Sequence, residues 1–367
     1  MECGFVCGAL VYASSLSVVN KSALNFKCGV FSGKRNSNAR CHFSLSLASS
    51  SAASSGSTEK AIEVKGSQNS VEILNQFVKL VEGEFIGHEV NFSVSTGEAV
   101  SIPERFIPDA FRAWNVPVLG YDRITSTTVT DRREFFFRLS RLLPTAGCEA
   151  DAVVADVSDF SYSFDTLSDS FAVPFSDGSF SVGPKVFDNI AKLTQCICFG
   201  TETGNRDDLR RVIVTHPGWI ERVGTISVCI ERYEGEYCAG AVLQGCGSRD
   251  YSFSKDQLTE ETYRGDWTVN SHAAVEFSVS ENSYDSLNIS EYTSNSKIMN
   301  IVKHQGFPRG VSVTLLQSET GQIWIETGVV TDYHTDSDSN ATKQQVISRQ
   351  YDSDGNLERI CRFSRTK

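Results

Sequence analysis

Two nearly identical stretches, VNFSVS at residues 90–95 and VEFSVS at residues 275–280, decide the fold. Each follows a similar opening triplet, GEF at 83–85 and GDW at 265–267. In both stretches apolar residues alternate with polar ones, which is the period of a β-strand with one buried face. The repetition indicates that one strand-based architecture is used twice in the chain.

A second echo closes each half. A Val-Ile pair stands at 212–213 and again at 346–347, and a Gly-x-apolar-Glu-Arg-apolar phrase follows at 218–223 and at 355–360. Echoes at both ends of each half favour an internal repeat. The first copy is longer, and we place an insertion of about 48 residues within 103–175, whose prolines and aromatics predict loops that cover a site.

The segments between these echoes are short and alternating, with turn signals about every 8–12 residues, which predicts an antiparallel sandwich or barrel. A helical period instead appears at 71–82, where apolar residues share one face (Val71, Leu74, Phe77, Val78 and Val81). A second helix-like segment, 253–263, precedes the second half. The glycine-containing, charged stretch 236–262 is therefore the predicted linker, including the short helix that leads into the second half.

The first 58 residues differ in kind from the rest. Between Glu2 and Glu59 there is no Asp or Glu, whereas Ser, Ala and five basic residues are present. A Ser-rich, acid-poor N-terminus is typical of an organelle transit peptide. We expect a plastid address, with the stroma as destination; the alternative is a Ser-rich tail without an address.

Charge and side-chain spacing exclude several functions. A net charge of −11 argues against attraction to nucleic acid. No apolar run approaches the about 20 residues of a membrane-spanning helix. Cys196 and Cys198 alternate on one predicted strand and indicate a buried strand, because no second ligand pair stands at zinc spacing. No metal site and no cofactor are predicted.

The opening of the second half resembles the lipocalin, or calycin, barrels. Gly265-Asp266-Trp267 matches their Gly-x-Trp triplet, and Arg349 or Arg362 matches the late basic residue. In such barrels the indole closes the narrow end and a guanidinium stacks over it. Phe85 replaces the tryptophan in the first half.

The C-terminal region is similar to that of the S-type phycobiliprotein lyases. Four residues fall on that pattern, namely Glu326, Arg349, Tyr351 and Asp352. The first half likewise resembles the lipocalin-like domain of uncharacterised plant and cyanobacterial relatives of those lyases. The resemblance implies an antiparallel barrel that holds an open-chain tetrapyrrole.

Five residues are the expected site within this resemblance. Arg349 pairs with a propionate or closes the barrel end, and Tyr351 bonds a pyrrole or begins a turn. Glu326 donates a proton to a bilin if burial raises its pKa, or else faces outward. Trp267 and Trp324 are the expected aromatic contacts of the ligand.

The expected fold is all-β, with two tandem antiparallel calycin-like barrels and a short helix at the start of each. The barrels span 71–235 and 263–367 and follow a transit segment at 1–58. The expected function is binding of a tetrapyrrole or bilin in a plastid, and any catalysis would be lyase-like. Two alternatives stay open: an assembly factor that binds partner proteins, and a carrier of fatty acids or other apolar molecules.

Overall fold

A computed structural model describes most of the chain that follows the predicted transit segment. The described residues are 66–130, 134–144, 154–165, 168, 170–187, 192–200, 205–217, 224–240, 267–276, 289–290, 300–331 and 343–366. The predicted transit segment at 1–58, most of the predicted linker and the predicted helix at 253–263 lie outside them. No helix in the described ranges is long and apolar enough to cross a membrane.

The described residues are almost entirely β-structure, as the sequence predicts. The first half contains the helices α1 (Gly66–Val81) and α2 (Asp109–Ala113) and the strands β1 (Gly83–Ser93), β2 (Ala99–Val100), β3 (Gly120–Val129), β4 (Glu134–Leu142), β5 (Val154–Ser163), β6 (Ser170–Pro174), β7 (Phe180–Pro184), β8 (Lys192–Phe199), β9 (Arg210–Pro217) and β10 (Thr225–Gly235). The second half contains β11 (Thr268–Glu276), β12 (Ile289–Ser290), β13 (Asn300–Phe307), β14 (Val311–Gln317), β15 (Ile323–Val330), β16 (Lys343–Tyr351) and β17 (Leu357–Thr366).

The first half is a closed barrel. Strand β1 pairs with β3, and the order continues through β4 to β10, which pairs back with β1 to close a ring of nine strands. Neighbours are antiparallel except β5 and β6, which meet in parallel at Ser163 and Phe171. Closure leaves no unpaired edge in the ring. The predicted barrel is confirmed for this half.

The second half is a separate sheet. Its consecutive strands β13 to β17 form an antiparallel meander, with β11 beside β17 and the two-residue β12 beside β11. Within the described residues no pairing joins β12 to β13. The tandem arrangement of two calycin-like barrels therefore stays a prediction.

The outer surface of the barrel packs against one face of the second sheet. A continuous apolar cluster combines barrel residues such as Phe92 and Val214 with sheet residues such as Phe307 and Ile347. All four of these side chains are at most 2% exposed. Several barrel strands are consequently apolar on both faces, one toward the barrel interior and one toward the second sheet.

The two halves share one pairing pattern. The opening strand of each half pairs antiparallel with the closing strand, with Val90 opposite Val228 and Val275 opposite Ile360. Each half also places a guanidinium over its opening aromatic residue. The Arg211 guanidinium carbon lies 3.4 Å from the centroid of Phe85, and that of Arg365 lies 4.9 Å from the centroid of Trp267.

The predicted helix at 71–82 is present as α1 and packs on the barrel end at which β1 begins. Phe77 makes edge contacts with Phe135, Phe164 and Phe180 at centroid distances of 5.5, 5.9 and 6.3 Å. Of the residues predicted to share the apolar face, Phe77 and Val81 are buried, whereas Val71 is half exposed. The helix thus covers one end of the barrel.

Candidate ligand-binding cavity

The barrel encloses a cavity of about 630 Å³. Its residues come from the inward positions of β1, β3 to β5 and β7 to β10, which alternate along each strand. Three further residues belong to the segment between β2 and β3, namely Pro103, Arg105 and Phe106. This segment lies in the region that the sequence predicted to cover a site.

The cavity has a mouth at the barrel end opposite α1. Lining residues at that end of their strands, such as Asp156, Lys192 and Thr225, are exposed. Lining residues further inside, such as Phe137 and Phe180, are buried. A ligand that enters through the mouth therefore passes from a polar rim into a shielded interior.

One side of the cavity is aromatic. Phe137 on β4, Phe160 and Tyr162 on β5, and Phe180 on β7 form this aromatic wall. The rings of Phe160 and Tyr162 are nearly parallel, with an interplanar angle of 3°. Burial raises the pKa of Tyr162 to about 12, so its phenol is protonated at neutral pH.

The inward positions of β1, β3, β4, β9 and β10 carry ionised groups, of which Glu89, Arg123 and Arg141 line the cavity and Arg211 and Glu231 lie beside them without lining it. This charged wall consists of Glu89, Arg123, Arg141, Arg211 and Glu231. Arg123 donates from Nε to Glu231 Oε1 at 2.7 Å and from Nη1 to Glu89 Oε2 at 2.8 Å. Arg211 donates from Nε to Glu231 Oε2 at 2.6 Å. Two carboxylates thus hold the buried guanidinium groups in position.

Arg141 links the charged wall to the mouth. Its Nη2 donates to Glu89 Oε1 at 2.9 Å and its Nη1 donates to Asp156 Oδ2 at 3.0 Å. Ser227 Oγ donates to the same Glu89 oxygen at 3.1 Å. Glu89 is therefore the shared acceptor between the buried and the outer part of the wall.

A glycine makes room for the charged wall. Gly87 on β1 lies directly between Arg123 on β3 and Glu231 on β10. A Cβ atom at this position would lie 2.6 Å from Glu231 Cγ. Because Gly87 has no side chain, Arg123 can reach Glu231 across the intervening strand.

The charged wall stays ionised despite its burial. Burial opposes ionisation of Glu231, but Arg123 and Arg211 outweigh it and lower the pKa of Glu231 to about 2. Burial likewise opposes ionisation of Glu89, whose pKa is lowered by Arg123 and Arg141. The pKa of Arg123 is raised, since its acidic neighbours outweigh the effect of burial. All three groups are charged at neutral pH.

Some donors of the charged wall have no acceptor. Arg123 Nη2 and both Nη atoms of Arg211 are buried and make no hydrogen bond. Arg211 is turned toward Phe85, whose ring face partly compensates the charge. Arg123, by contrast, lines the cavity and is 4% exposed. Arg123 therefore combines a position in the cavity lining with a buried donor that has no acceptor.

Buried thiols complete the interior. The predicted common face of Cys196 and Cys198 is confirmed, with both residues buried and the two Sγ atoms 4.0 Å apart. Burial raises the pKa of Cys196 and of Cys229 well above the ordinary value. These two thiols are therefore protonated at neutral pH and are poor nucleophiles.

Two of the residues predicted as a site, Arg349 and Tyr351, lie between the second sheet and the barrel. Arg349 donates from Nε to Tyr351 Oη at 3.0 Å, from Nη1 to Ser181 Oγ at 3.1 Å and from Nη2 to the Pro184 carbonyl at 2.9 Å. Both residues are fully buried. Ligand binding by this pair stays a prediction.

The other three predicted residues lie on the opposite face of the second sheet. Trp324 packs with Leu316 and Val330, apart from the cluster that contacts the barrel. Glu326 accepts from Arg365 Nη1 at 3.4 Å, and Arg365 also lies over Trp267. The guanidinium over this tryptophan is thus Arg365, where the sequence predicted Arg349 or Arg362. The structure divides the predicted site between two faces.

Sequence reasoning missed the charged wall. The available signal was a charged residue inside an otherwise apolar strand, such as Glu89 in β1 and Glu231 in β10. Residues of a strand alternate between its two faces, so each of these carboxylates faces either the interior or the outside of the barrel. The adjacent pair Arg210 and Arg211 shows the difficulty, because only the facing of the strand tells which arginine is internal.

The chain is similar to a known protein in structure. No family model matches the sequence, and no curated protein matches it. Among solved structures, the chain is similar to a protein of unknown function from the DUF3598 family of Nostoc punctiforme. The TM-score is 0.44 and the identity 12%, over 80% of this chain and 98% of that one.

Proposed function

We propose that this protein binds an amphipathic small molecule with carboxylate groups inside the nine-strand barrel, and that open-chain tetrapyrroles are the ligand class to test first. The observation that carries the proposal is a cavity of about 630 Å³ with an aromatic wall facing a charged one. Cavities of roughly 300–1,000 Å³ accommodate drug-sized ligands in other proteins.

The charge of the cavity supports an anionic ligand. Four cationic side chains line it (Arg105, Arg123, Arg141 and Lys192) and two acidic ones (Glu89 and Asp156), an excess of two positive charges among the described residues. The whole chain has a net charge of −11. A positive interior in an acidic protein attracts carboxylates to the cavity and not to the surface in general.

The aromatic wall supports a flat ligand. The rings of Phe137, Phe160, Tyr162 and Phe180 offer stacking and edge contacts to a conjugated system. Halfway around the barrel, the charged wall offers donors for propionate groups. A bilin has both features, whereas a fatty acid would use only the carboxylate and the apolar surface. The carrier of fatty acids is the second candidate.

Location and ancestry belong to the same proposal. The acid-poor, Ser-rich segment 1–58 supports a plastid location, which a fluorescent fusion of these residues would test. The shared strand pairing of the two halves supports two related, calycin-like units. Burial keeps the thiols Cys196 and Cys229 protonated, so neither is the nucleophile that we would test for lyase-like chemistry.

The test is a visible absorption titration of residues 59–367 with biliverdin and with protohaem. We expect a saturable, shifted absorption band with biliverdin. The variant Leu139→Trp, which places an indole in the cavity, should weaken binding at least tenfold. The matched control is Val157→Trp, at a half-exposed position. This control should bind like the wild type.

Two outcomes would count against the proposal. If neither pigment changes its spectrum, the tetrapyrrole class is excluded. Displacement of a fluorescent fatty acid by dodecanoate would then support the second candidate. If Leu139→Trp and Val157→Trp bind biliverdin equally well, the binding site does not lie in the barrel cavity.

A further inference from the structure

We infer that the charged wall contains a carboxylate subsite at Arg123, inside the mouth, and that the ligand is held by this buried contact more than by the exposed cations at the rim. The inference rests on the proposed function and deepens it. It specifies where the ligand's carboxylate lies and which guanidinium recognises it.

The hydrogen bonds of Arg123 leave one of its donors without an acceptor. Arg123 uses Nε and Nη1 for Glu231 and Glu89, and these two contacts fix the plane of the guanidinium. Nη2 then has no protein acceptor, although its atom is buried. A buried, charged donor without an acceptor is unfavourable, and a carboxylate oxygen in the cavity would remove that penalty.

Neither Arg141 nor Arg211 meets the requirements of a carboxylate subsite. Arg141 already donates from Nε and both Nη atoms to Glu89 and Asp156. Arg211 is fully buried, does not line the cavity and lies over the Phe85 ring. Among the arginines of the charged wall, Arg123 is therefore the one that combines a spare donor with access to the cavity.

Arg123 differs from the cations at the rim in its access to water. Arg105 and Lys192 are exposed, so water satisfies their donors whether or not a ligand is bound. Contacts in water-accessible positions contribute little affinity and are screened by salt. Arg123 is shielded from water, and a charge-assisted hydrogen bond at this depth is correspondingly stronger.

The experiment compares biliverdin with its dimethyl ester, which lacks carboxylates but keeps the conjugated body. We expect the wild type to bind the acid about 10- to 100-fold more tightly than the ester. In the rim variant Arg105→Gln/Lys192→Gln, the preference for the acid should remain at least tenfold, although both ligands can bind somewhat more weakly. In Arg123→Gln the preference should fall below threefold.

Each outcome decides between the two positions. Loss of the preference in the rim variant, or its survival in Arg123→Gln, overturns the inference. If Arg123→Gln does not fold, the folded rim variant still decides, and Arg123→Lys provides a second buried change that keeps the charge but loses the fork. Equal binding of acid and ester by the wild type overturns the inference while leaving the proposed function intact. Absence of binding by both ligands would count against the proposed function itself.

Discussion

Two buried arginines differ in their hydrogen-bond partners: Arg123 lies inside the barrel, and Arg349 lies between the barrel and the second sheet. Arg349 gives its three kinds of nitrogen to a phenol, a hydroxyl and a carbonyl, all neutral. Arg123 gives two to carboxylates and keeps one spare. The first environment is complete without a ligand and joins two parts of the protein. The second environment lacks one acceptor and adjoins a cavity.

This difference teaches that burial of an arginine does not identify a binding site by itself. Arg349 and Arg211 are both fully buried, yet neither lines the cavity. The informative combination is a buried charge, an unsatisfied donor and adjoining empty space. Four changes test whether this distinction holds.

The largest expected effect is on the charged wall. Glu231→Leu leaves Arg123 and Arg211 without their shared carboxylate, and breaking a buried ion pair costs about 3–5 kcal/mol of unfolding free energy. Urea denaturation followed by circular dichroism measures the loss. The control is Glu234→Leu, which removes only a partly exposed ion pair with Arg232 and should cost at most about 1 kcal/mol. Equal losses would show that the groups of the charged wall are not closely coupled.

The second change is of pH, and it separates the two regions. His216, on the outer face of β9, is buried and neutral, and burial followed by repulsion from Arg349 lowers its pKa to about 4. Between its ordinary value of 6.5 and pH 4, the unfolded state binds the proton that the folded state does not. Stability therefore falls by about 3 kcal/mol as the pH drops through this window.

Glu231 acts in a lower window. Its folded pKa of about 2 lies below the ordinary value of 4.5, so its contribution is present above pH 4.5 and is lost as the pH falls toward 2. Unfolding free energies measured from pH 7 to pH 3 should show the first loss above pH 4. His216→Gln should remove that loss specifically. An unchanged pH profile in this variant would contradict the assignment.

The third change tests the contact between the barrel and the second sheet. Arg349→Met removes the hydrogen bonds to Tyr351, Ser181 and the Pro184 carbonyl, and we expect a loss of about 2 kcal/mol in unfolding free energy. Biliverdin affinity should change less than twofold, because the cavity lies on the other side of the barrel wall. A tenfold weaker affinity in the folded variant would instead support the site predicted from the sequence.

The smallest effect concerns the rim. Lys192→Gln removes one exposed cation of the cavity mouth, which should weaken biliverdin binding about two- to threefold at low salt and not measurably at 0.5 M salt. Titrations at both salt concentrations provide the comparison. A tenfold effect that persists at high salt would place the main anion contact at the rim.

Local patterns predicted much of this fold. The helical period at 71–82 and the alternation after Gly83 report which face of a segment is buried, and α1 and β1 follow them. Paired echoes at the ends of each half agree with the shared pairing of opening and closing strands. These features depend on sequence neighbours, so they can be read directly from the chain.

The site could not be predicted in the same way, because its parts are distant in sequence. Arg123 and Glu231 are 108 positions apart, and their contact depends on barrel closure through β1. The resemblance to a family placed the predicted site in the second half, where Arg349 and Tyr351 contact the barrel. Which half holds the cavity is decided by ring closure, and no local pattern reports it.

Strand β9 has no exposed residue on either face, which has a consequence for strand register. Its outward face packs under the second sheet and its inward face lies in the barrel interior, so burial by itself would not penalise a slip by one position. A slip would, however, move Arg211 from its carboxylate partner into the apolar cluster beneath the second sheet, at a cost of several kcal/mol. The ionised groups that shape the cavity therefore also select the correct alignment of the strands as the barrel forms.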